Sequence, residues 1–523
     1  HELVFNAIKG LRGRASLLME LLTPVLPLRS SQVHTTAVFQ LFNEGDSIAR
    51  NLAVNLRSAE LQGGGVEIIS GEHIDLNPLG IGEARQVQVA IAPNKATSAS
   101  LTFEAAYDDD ERQGATYQLG FQIRFNEAPD TYTPIERSPY IVGMPVKTPE
   151  MFFGREDVFE WVRENVSGKH QEQALLLYGE RRMGKTSVLY QLMRRPPTPR
   201  HICLLFDLQL YGYINSVEML LFELASTVAA GLQDEGIDVS DPAISPGEDE
   251  FAAHPYRALT RFCDLLDRVM GDRRLLIMLD EFGVLIGKVR DGVLDAAIFD
   301  YLRRITQRSS KFTFLFTGAY EVRRMQQDFD SILFNMPKVR KISYLTDGEV
   351  RDLILRPVEG ILTYHPLVIQ RIRAVTAGHP YFIQYICDEL LKLARKQETN
   401  YVELTDLEYV IRNVLQDAAG NIENSIFRYL GADEKLVLAT LAHVTDEIRV
   451  FVPLGDIVGL LERRRFSLPR EAVVRALGAL EERDLINEMR IGQQLRYAFA
   501  MGLTRMWLRQ NDILLKLAEG KQA

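Results

Sequence analysis

Gly179-Glu180-Arg181-Arg182-Met183-Gly184-Lys185-Thr186 follows the pattern G-x-x-x-x-G-K-[ST]. Its chemistry is that of a phosphate cradle. The two glycines let the backbone turn its N–H groups inward, and a helix starting at the lysine presents its positive N-terminus to the same space. Lys185 supplies a compact cation for β- and γ-phosphate oxygens, and Thr186 a hydroxyl ligand for Mg²⁺. The flanks decide between this and an ordinary glycine turn beside a lysine. Ala174-Leu175-Leu176-Leu177-Tyr178 is a short continuous apolar run, the mark of a buried parallel strand. Ser187 to Met193 carries helical apolar spacing and stops before Pro196-Pro197. Strand, glycine turn and helix in that order favour the cradle, with Gly179, Glu180, Arg181, Arg182, Met183, Gly184, Lys185, Thr186 and Ser187 as candidate phosphate contacts.

The strands and helices around it repeat the same alternation. His201 to Asp207 reads as a second buried strand, a helix is expected over about 216–232 and another over about 255–270, and 233–250 is an acidic, Gly- and Pro-containing loop. Leu275-Leu276-Ile277-Met278-Leu279-Asp280-Glu281 is an apolar strand ending in two carboxylates, the Walker B arrangement. Asp280 is suited to the Mg²⁺ shell and Glu281 to polarising an attacking water. A helix over about 296–309 leads to Lys311 to Phe316 and then Thr317-Gly318. A hydroxyl at that strand tip can bond a γ-phosphate or the lytic water. The catalytic set is therefore Lys185, Asp280, Glu281 and Thr317, with Thr186 and Asp280 on the metal. The whole is read as an α/β P-loop NTPase core, residues 151–345, built on a doubly wound parallel sheet.

With 523 residues the chain is multidomain, and 46% hydrophobic with 25% charged residues is a globular composition. A net charge of −10 argues against a protein built mainly to coat nucleic acid, while leaving room for a local basic patch. Cys203, Cys263 and Cys387 lie far apart with no metal or redox spacing, as three small buried side chains in a reducing, cytoplasmic interior would. No apolar run is long enough to span a membrane. The chain opens at His1 without an initiator methionine, which leads to the expectation of a piece of a longer polypeptide.

Residues 1–30 mix Lys9, Arg12 and Arg14 with spaced apolar residues before Pro24 and Pro27, and read as a connector or helical remnant. Over 31–128 the period changes to two. Tyr117, Leu119, Phe121, Ile123 and Phe125 alternate with Gln118, Gly120, Gln122 and Arg124, and the turns carry Asn43 to Asp46, Gly63 to Gly65 and Pro93-Asn94. This predicts an all-β sandwich of antiparallel strands, with Asp108 to Asp110 as a solvated turn rather than a metal site, and Phe39 to Asp46 followed by Ala49-Arg50-Asn51 resembles bacterial immunoglobulin-like modules. A proline-punctuated linker follows over 129–150, containing Pro129, Pro134, Pro139, Pro145 and Pro149. Residues 346–428 read as a helical lid. Over 429–523, three helices (433–445, 453–464, 469–484) and two short strands around Arg490-Ile491-Gly492 predict a winged-helix domain.

Taken together, residues 145–511 resemble the STAND class of P-loop ATPases, signal-transduction relatives of the AAA+ proteins. The resemblance rests on four features in order: F-F-G-R-E at Phe152 to Glu156, R-R-x-G-K-T-S in the glycine loop, Asp280-Glu281, and G-H-P at Gly378 to Pro380 ahead of the winged helix. It implies ATP or ADP with Mg²⁺ as ligands. Phe153, Gly154 and Arg155 would sit against adenine and sugar, and Pro380 with His379 would close over the nucleotide from the lid. It further implies a slow bacterial ATPase switch in which nucleotide state controls self-association or exposes a surface to a protein effector or sensor. Arg303 and Arg304 stand where some relatives place a catalytic arginine, without a certain arginine finger. The alternative reading is a DNA-acting ATPase resembling archaeal ATPases and origin-recognition proteins. Arg463, Arg464, Arg465, Arg470 and Arg475 support it, and the interspersed Glu462, Glu471, Glu481, Glu482 and Asp484 oppose it.

Overall fold

The computed structural model describes residues 14–21, 23, 25–28, 34–45, 47–62, 67–80, 84–92, 96–127, 132–167, 174–239, 245–308, 311–320, 322, 338–417, 422–424, 426–444, 450–491 and 494–518. Lys9, Arg12, Pro24, Asp46, the Gly63 to Gly65 and Pro93-Asn94 turns, Pro129 and Gly492 lie outside the described residues. The chain divides into two compact units. One holds residues 1–137, 359–371 and 390–409, the other 138–358, 372–389 and 410–523.

The first unit is built on strands β1 (Leu17–Leu21), β2 (Val25–Leu28), β3 (Thr35–Asn43), β4 (Arg50–Gln62), β5 (Glu67–Ser70), β6 (His73–Asp75), β7 (Ala84–Ala92), β8 (Ser98–Asp108) and β9 (Ala115–Glu127). They form two sheets, β1-β3-β7-β5 and β2-β9-β8-β4-β6. Every second residue of β8 is buried, so each strand turns one face inward. Phe39 of the first sheet meets Phe103 of the second with ring centroids 4.7 Å apart, inside one apolar core drawn from both sheets. Three details depart from expectation. β1 and β2 occupy the stretch read as a connector, because Leu17 and Met19 are buried while Leu18 and Glu20 are not, a period of two too short to stand out. The pair β2–β9 is parallel, not antiparallel. Asp109 is buried rather than solvated: burial pushes its carboxyl up, but Arg112 and the N–H groups of Glu111, Arg112 and Ala15 outweigh that and hold it at about 2.

The second unit carries α1 (Glu156–Ser167), β10 (Ala174–Tyr178), α2 (Lys185–Arg194), β11 (His201–Asp207), α3 (Val217–Asp234), α4 (Glu248–Ala253), α5 (Pro255–Val269), β12 (Arg274–Asp280), α6 (Gly283–Arg290), α7 (Ala297–Arg308), β13 (Phe312–Gly318), β14 (Lys338–Lys341) and α8 (Asp347–Leu355). The strands make one parallel sheet in the order β11-β12-β13-β10-β14. Alternate residues feed cores on opposite faces. Leu176, Phe206, Ile277 and Phe314 pack with α3, α5 and α7, while Leu175, Leu177, Leu276 and Met278 pack with α1 and α2. Burial on both faces is why these strands read as unbroken apolar runs. The chain is thus a multidomain protein with an α/β parallel-sheet core.

Beyond it come β15 (Thr363–Tyr364), α9 (Pro366–Thr376), α10 (Pro380–Lys396), β16 (Tyr401–Val402) and α11 (Leu404–Asp417), with β15 and β16 paired in parallel inside a stretch expected to be wholly helical. Both short strands belong to the first unit, so residues 346–428 do not form one compact body. The C-terminal elements are α12 (Ala432–Val444), β17 (Val452–Pro453), α13 (Leu454–Arg463), α14 (Arg470–Glu482), β18 (Ile486–Ile491), β19 (Gln494–Phe499), α15 (Gly502–Gln510) and α16 (Ile513–Ala518). Their antiparallel sheet runs β17-β19-β18. No helix among the described residues is long and apolar enough to cross a membrane. Cys203, Cys263 and Cys387 are all buried, and none of them is joined in a disulfide.

Candidate functional site

Strands β10, β12 and β13 run parallel, so their carboxyl ends deliver the glycine loop, Asp280-Glu281 and Thr317 to one edge of the sheet. The loop turns into α2 through Gly184 at φ 92°, a left-handed backbone that glycine adopts without strain. At Gly179 a side chain would collide with the Ile342 carbonyl, so the loop lies directly against the end of β14.

Lys185 is 4% exposed, and its Nζ donates to the carbonyls of Gly179 and Glu180, each at 2.9 Å. Burial pushes its pKa down, against the opposing pull of Glu281, Glu180 and Asp280. Thr186 Oγ1 donates to Asp280 Oδ2 at 2.6 Å, and Thr317 Oγ1 donates to Asp280 Oδ1. The Glu281 N–H donates to Asp280 Oδ1 at 3.1 Å and to Thr317 Oγ1 at 3.2 Å. Glu281 holds φ 52°, a left-handed conformation that a non-glycine residue keeps only where its surroundings enforce it.

A cavity of about 370 Å³ opens on this cluster. Its polar lining comes from Arg181, Arg182, Lys185, Thr186, Ser187 and Glu281, and its apolar lining from Ile141, Met144, Phe152, Phe153, Leu345 and Leu353. That combination suits a ligand with a phosphate tail and a flat apolar body. Among the expected contacts, Phe153, Arg155, Met183, Gly184 and Pro380 also line it. Gly154, Gly179, Glu180, Asp280, Thr317 and His379 do not.

His379 therefore departs from its expected place over the nucleotide. Its ring is 2% exposed, hydrogen-bonds the Arg181 backbone and packs edge-on against Phe382 at 4.9 Å. Burial lowers its pKa to about 3, and Arg155, Arg182 and Lys185 add to the fall. Nδ1 has no hydrogen-bond partner among the described residues. Its neutral ring braces the glycine loop instead of facing the cavity. Arg155 has a double place: it lines the cavity, and its Nη2 donates to the Met183 carbonyl at 3.1 Å. Gly154 sits where a Cβ would overlap the Glu349 carboxylate, and Glu349 Oε1 accepts the Arg155 N–H at 2.8 Å. Neither Arg303 nor Arg304 reaches the cavity.

Several participants carry no motif. The linker supplies Ile141 and Met144 to the lining, while Val146 donates its N–H to Ser187 Oγ at 2.9 Å. Gln384 lies one turn beyond Pro380, and its Oε1 accepts the Ile141 N–H at 3.0 Å. That i, i+4 spacing is the one sequence signal that could have found it. Arg483, from the end of α14, pairs with Glu180 at 3.3 Å.

No family model and no curated protein matches this chain. Among solved structures it is similar to the ORC1 protein of Aeropyrum pernix in complex with DNA, at 16% identity over 71% of this chain and 95% of that one, TM-score 0.36. It is also similar to the ORC2 protein of Aeropyrum pernix in its ADPNP-ADP complexes, at 12% identity over 75% and 97%, TM-score 0.46. A third similarity is to RuvB of Thermotoga maritima, a Holliday junction branch migration motor, at 12% identity over 67% and 94%, TM-score 0.34. At these identities a likeness concerns fold alone.

Proposed function

We propose that this chain is an AAA+-related P-loop ATPase that binds ATP or ADP with Mg²⁺ and hydrolyses ATP slowly, in the cytoplasm. The observation that carries the reading is the 2.6 Å contact between Thr186 and Asp280 beside the buried Lys185, at the mouth of a cavity with an apolar wall. A hydroxyl and a carboxylate oxygen side by side are hard donors of the kind Mg²⁺ takes, with water and phosphate completing its octahedron. When bound, the ion supplies charge neutralisation on the phosphates. Lys185 would hold the phosphate oxygens, Thr317 would fix the Asp280 carboxylate, and Glu281 would orient the attacking water and accept its proton. Phe153 and Pro380 would bracket the base.

Titration of the full chain with ATP and ADP, with and without Mg²⁺, tests this. Lys185→Ala is expected to weaken binding by roughly 10- to 100-fold, the worth of a charge-assisted phosphate contact. Unchanged affinity in a folded Lys185→Ala protein would overturn the reading.

For what the site drives, one observation favours a DNA-acting ATPase of the archaeal or origin-recognition kind. Arg463, Arg464, Arg465, Arg470 and Arg475 are all exposed, and none is drawn into an ion pair among the described residues. Of the acidic residues interspersed with them, Glu482 and Asp484 are engaged by Tyr320, Lys341 and Ser343. In this reading the winged-helix segment 429–523 places those arginines on duplex phosphates. The STAND-type switch, with a homo-oligomer or an effector protein as its output, rests on the F-F-G-R-E and G-H-P stretches. It predicts a nucleotide-dependent change in molecular size without duplex affinity.

A further inference from the structure

Glu180 places a carboxylate in the first variable position of the glycine loop, one residue from the glycine that opens the cradle. A negative side chain there repels the phosphates that the loop exists to hold. The structure answers this with a residue 303 positions away. Arg483 Nη1 lies 3.3 Å from Glu180 Oε1, with side chains 2% and 11% exposed respectively. The same guanidinium donates from Nη2 to the Tyr429 carbonyl at 3.2 Å, sits 4.6 Å over the Tyr320 ring and has Glu434 3.9 Å from Nε. The next residue fixes its seat. Asp484 accepts from Lys341 Nζ and Ser343 Oγ, both at 2.8 Å, and its carbonyl accepts the Tyr344 hydroxyl at 2.8 Å.

Glu180 does not line the cavity, although Arg181 through Ser187 do. Its backbone carbonyl meanwhile accepts Lys185 Nζ. We infer that Arg483 is a positioning residue of the nucleotide site: it draws the Glu180 carboxylate out of the cradle and neutralises it, so that the phosphate loop is complete only while the corner after α14 is seated on it. The inference rests on the nucleotide reading of the cavity. Its consequence is reciprocal. Phosphate binding and seating of that corner favour one another, and the tail with more negative charge feels the coupling more.

The experiment measures ADP and the imido analogue of ATP on the full-length protein by calorimetry. Arg483→Gln is expected to weaken the triphosphate analogue at least about tenfold and ADP less, since the Glu180 carboxylate then loses its guanidinium beside the phosphates. Adding Glu180→Gln should bring the double variant back to within about threefold of native, a rescue that a merely structural role for Arg483 would not give. A folded Arg483→Gln with native affinity, or a double variant as weak as the single, overturns the inference. Should Arg483→Gln fail to fold, Glu180→Gln alone decides: it should bind the analogue at least as tightly as native, and weaker binding overturns the inference. Lys185→Ala runs alongside. If Lys185→Ala is silent, the nucleotide reading itself fails and the inference falls with it; if only the Arg483 and Glu180 variants are silent, the site stands and the inference alone is wrong.

Discussion

Asp280 presents one carboxylate to three donors, the hydroxyls of Thr186 and Thr317 and the Glu281 N–H, so its geometry is set before any ligand arrives. Glu281, by contrast, has its backbone pinned and its side chain facing the cavity. Glu281→Gln should therefore keep ATP affinity within about threefold while phosphate release falls by roughly 10²- to 10⁴-fold, the usual worth of a positioned base. A continuous phosphate-release assay beside a binding titration separates the two. His379 makes a different prediction. Its pKa falls from 6.5 in the unfolded chain to about 3 in the fold, so between those values the unfolded state binds the extra proton. Stability is then lost as pH falls through that window, by up to about 1.4 kcal/mol per pH unit from this group. Denaturant unfolding of His379→Gln should show a shallower loss between about pH 6.5 and about pH 4.5 than the native chain. The clustering of Lys185, Thr186, Asp280 and Thr317 was readable in the sequence because each sits at a fixed offset within a motif. His379 was not, because a motif position does not say which way a ring turns, and Arg483 was not, because nothing local marks an ion pair closed across 303 residues.

The parallel strands were readable for a related reason. Burial on both faces leaves β10, β12 and β13 almost no polar positions, and a short unbroken apolar run between turn signals fits a doubly covered strand better than any half-exposed element. β14 escaped because Lys338, Arg340 and Lys341 sit at a half-exposed edge, where the sheet tolerates charge. β1 and β2 escaped because two strands of five and four residues are too short for their alternation to be told from a connector. Linking elements hide more. Glu349 closes a capping box with Thr346 at the start of α8 and also accepts the Arg155 N–H, tying that helix to the F-F-G-R-E segment. Glu349→Ala removes both bonds, and a loss of about 1 to 3 kcal/mol is expected from a cap and a buried N–H left without its partner. Gly154→Ala attacks the same joint from the other side, forcing a side chain into φ 75° against that carboxylate. Both variants should lower the thermal midpoint and weaken nucleotide binding together, because Arg155 reaches the cavity from this joint. A midpoint shift with native affinity would separate the joint from the site.

For the molecule as a whole, net charge and local charge point in opposite directions. A chain of charge −10 is a poor general partner for nucleic acid, yet α13, the turn after it and α14 expose Arg463, Arg464, Arg465, Arg470 and Arg475. Composition alone could not resolve this, because the acidic residues that offset the patch in sequence are partly committed elsewhere: Glu482 and Asp484 face Tyr320, Lys341 and Ser343. If those arginines lie on a duplex, each neutralised phosphate releases counterion, and log K falls with log salt at a slope of about −0.9 per contact. Replacing Arg463, Arg464 and Arg465 together by alanine should then make the slope shallower by about two to three and weaken binding uniformly across sequences, as phosphate contacts without base readout do. Fluorescence anisotropy of the full chain on a labelled duplex, from low to physiological salt and with ATP or ADP present, reads both quantities. A chain that binds no duplex at low salt, or a triple variant with an unaltered slope, removes the DNA reading. The proposal that the cavity takes a nucleotide would survive that result, because Lys185, Thr186 and Asp280 owe nothing to the arginine face, and the output would then have to be sought in a change of association state on adding ATP or ADP.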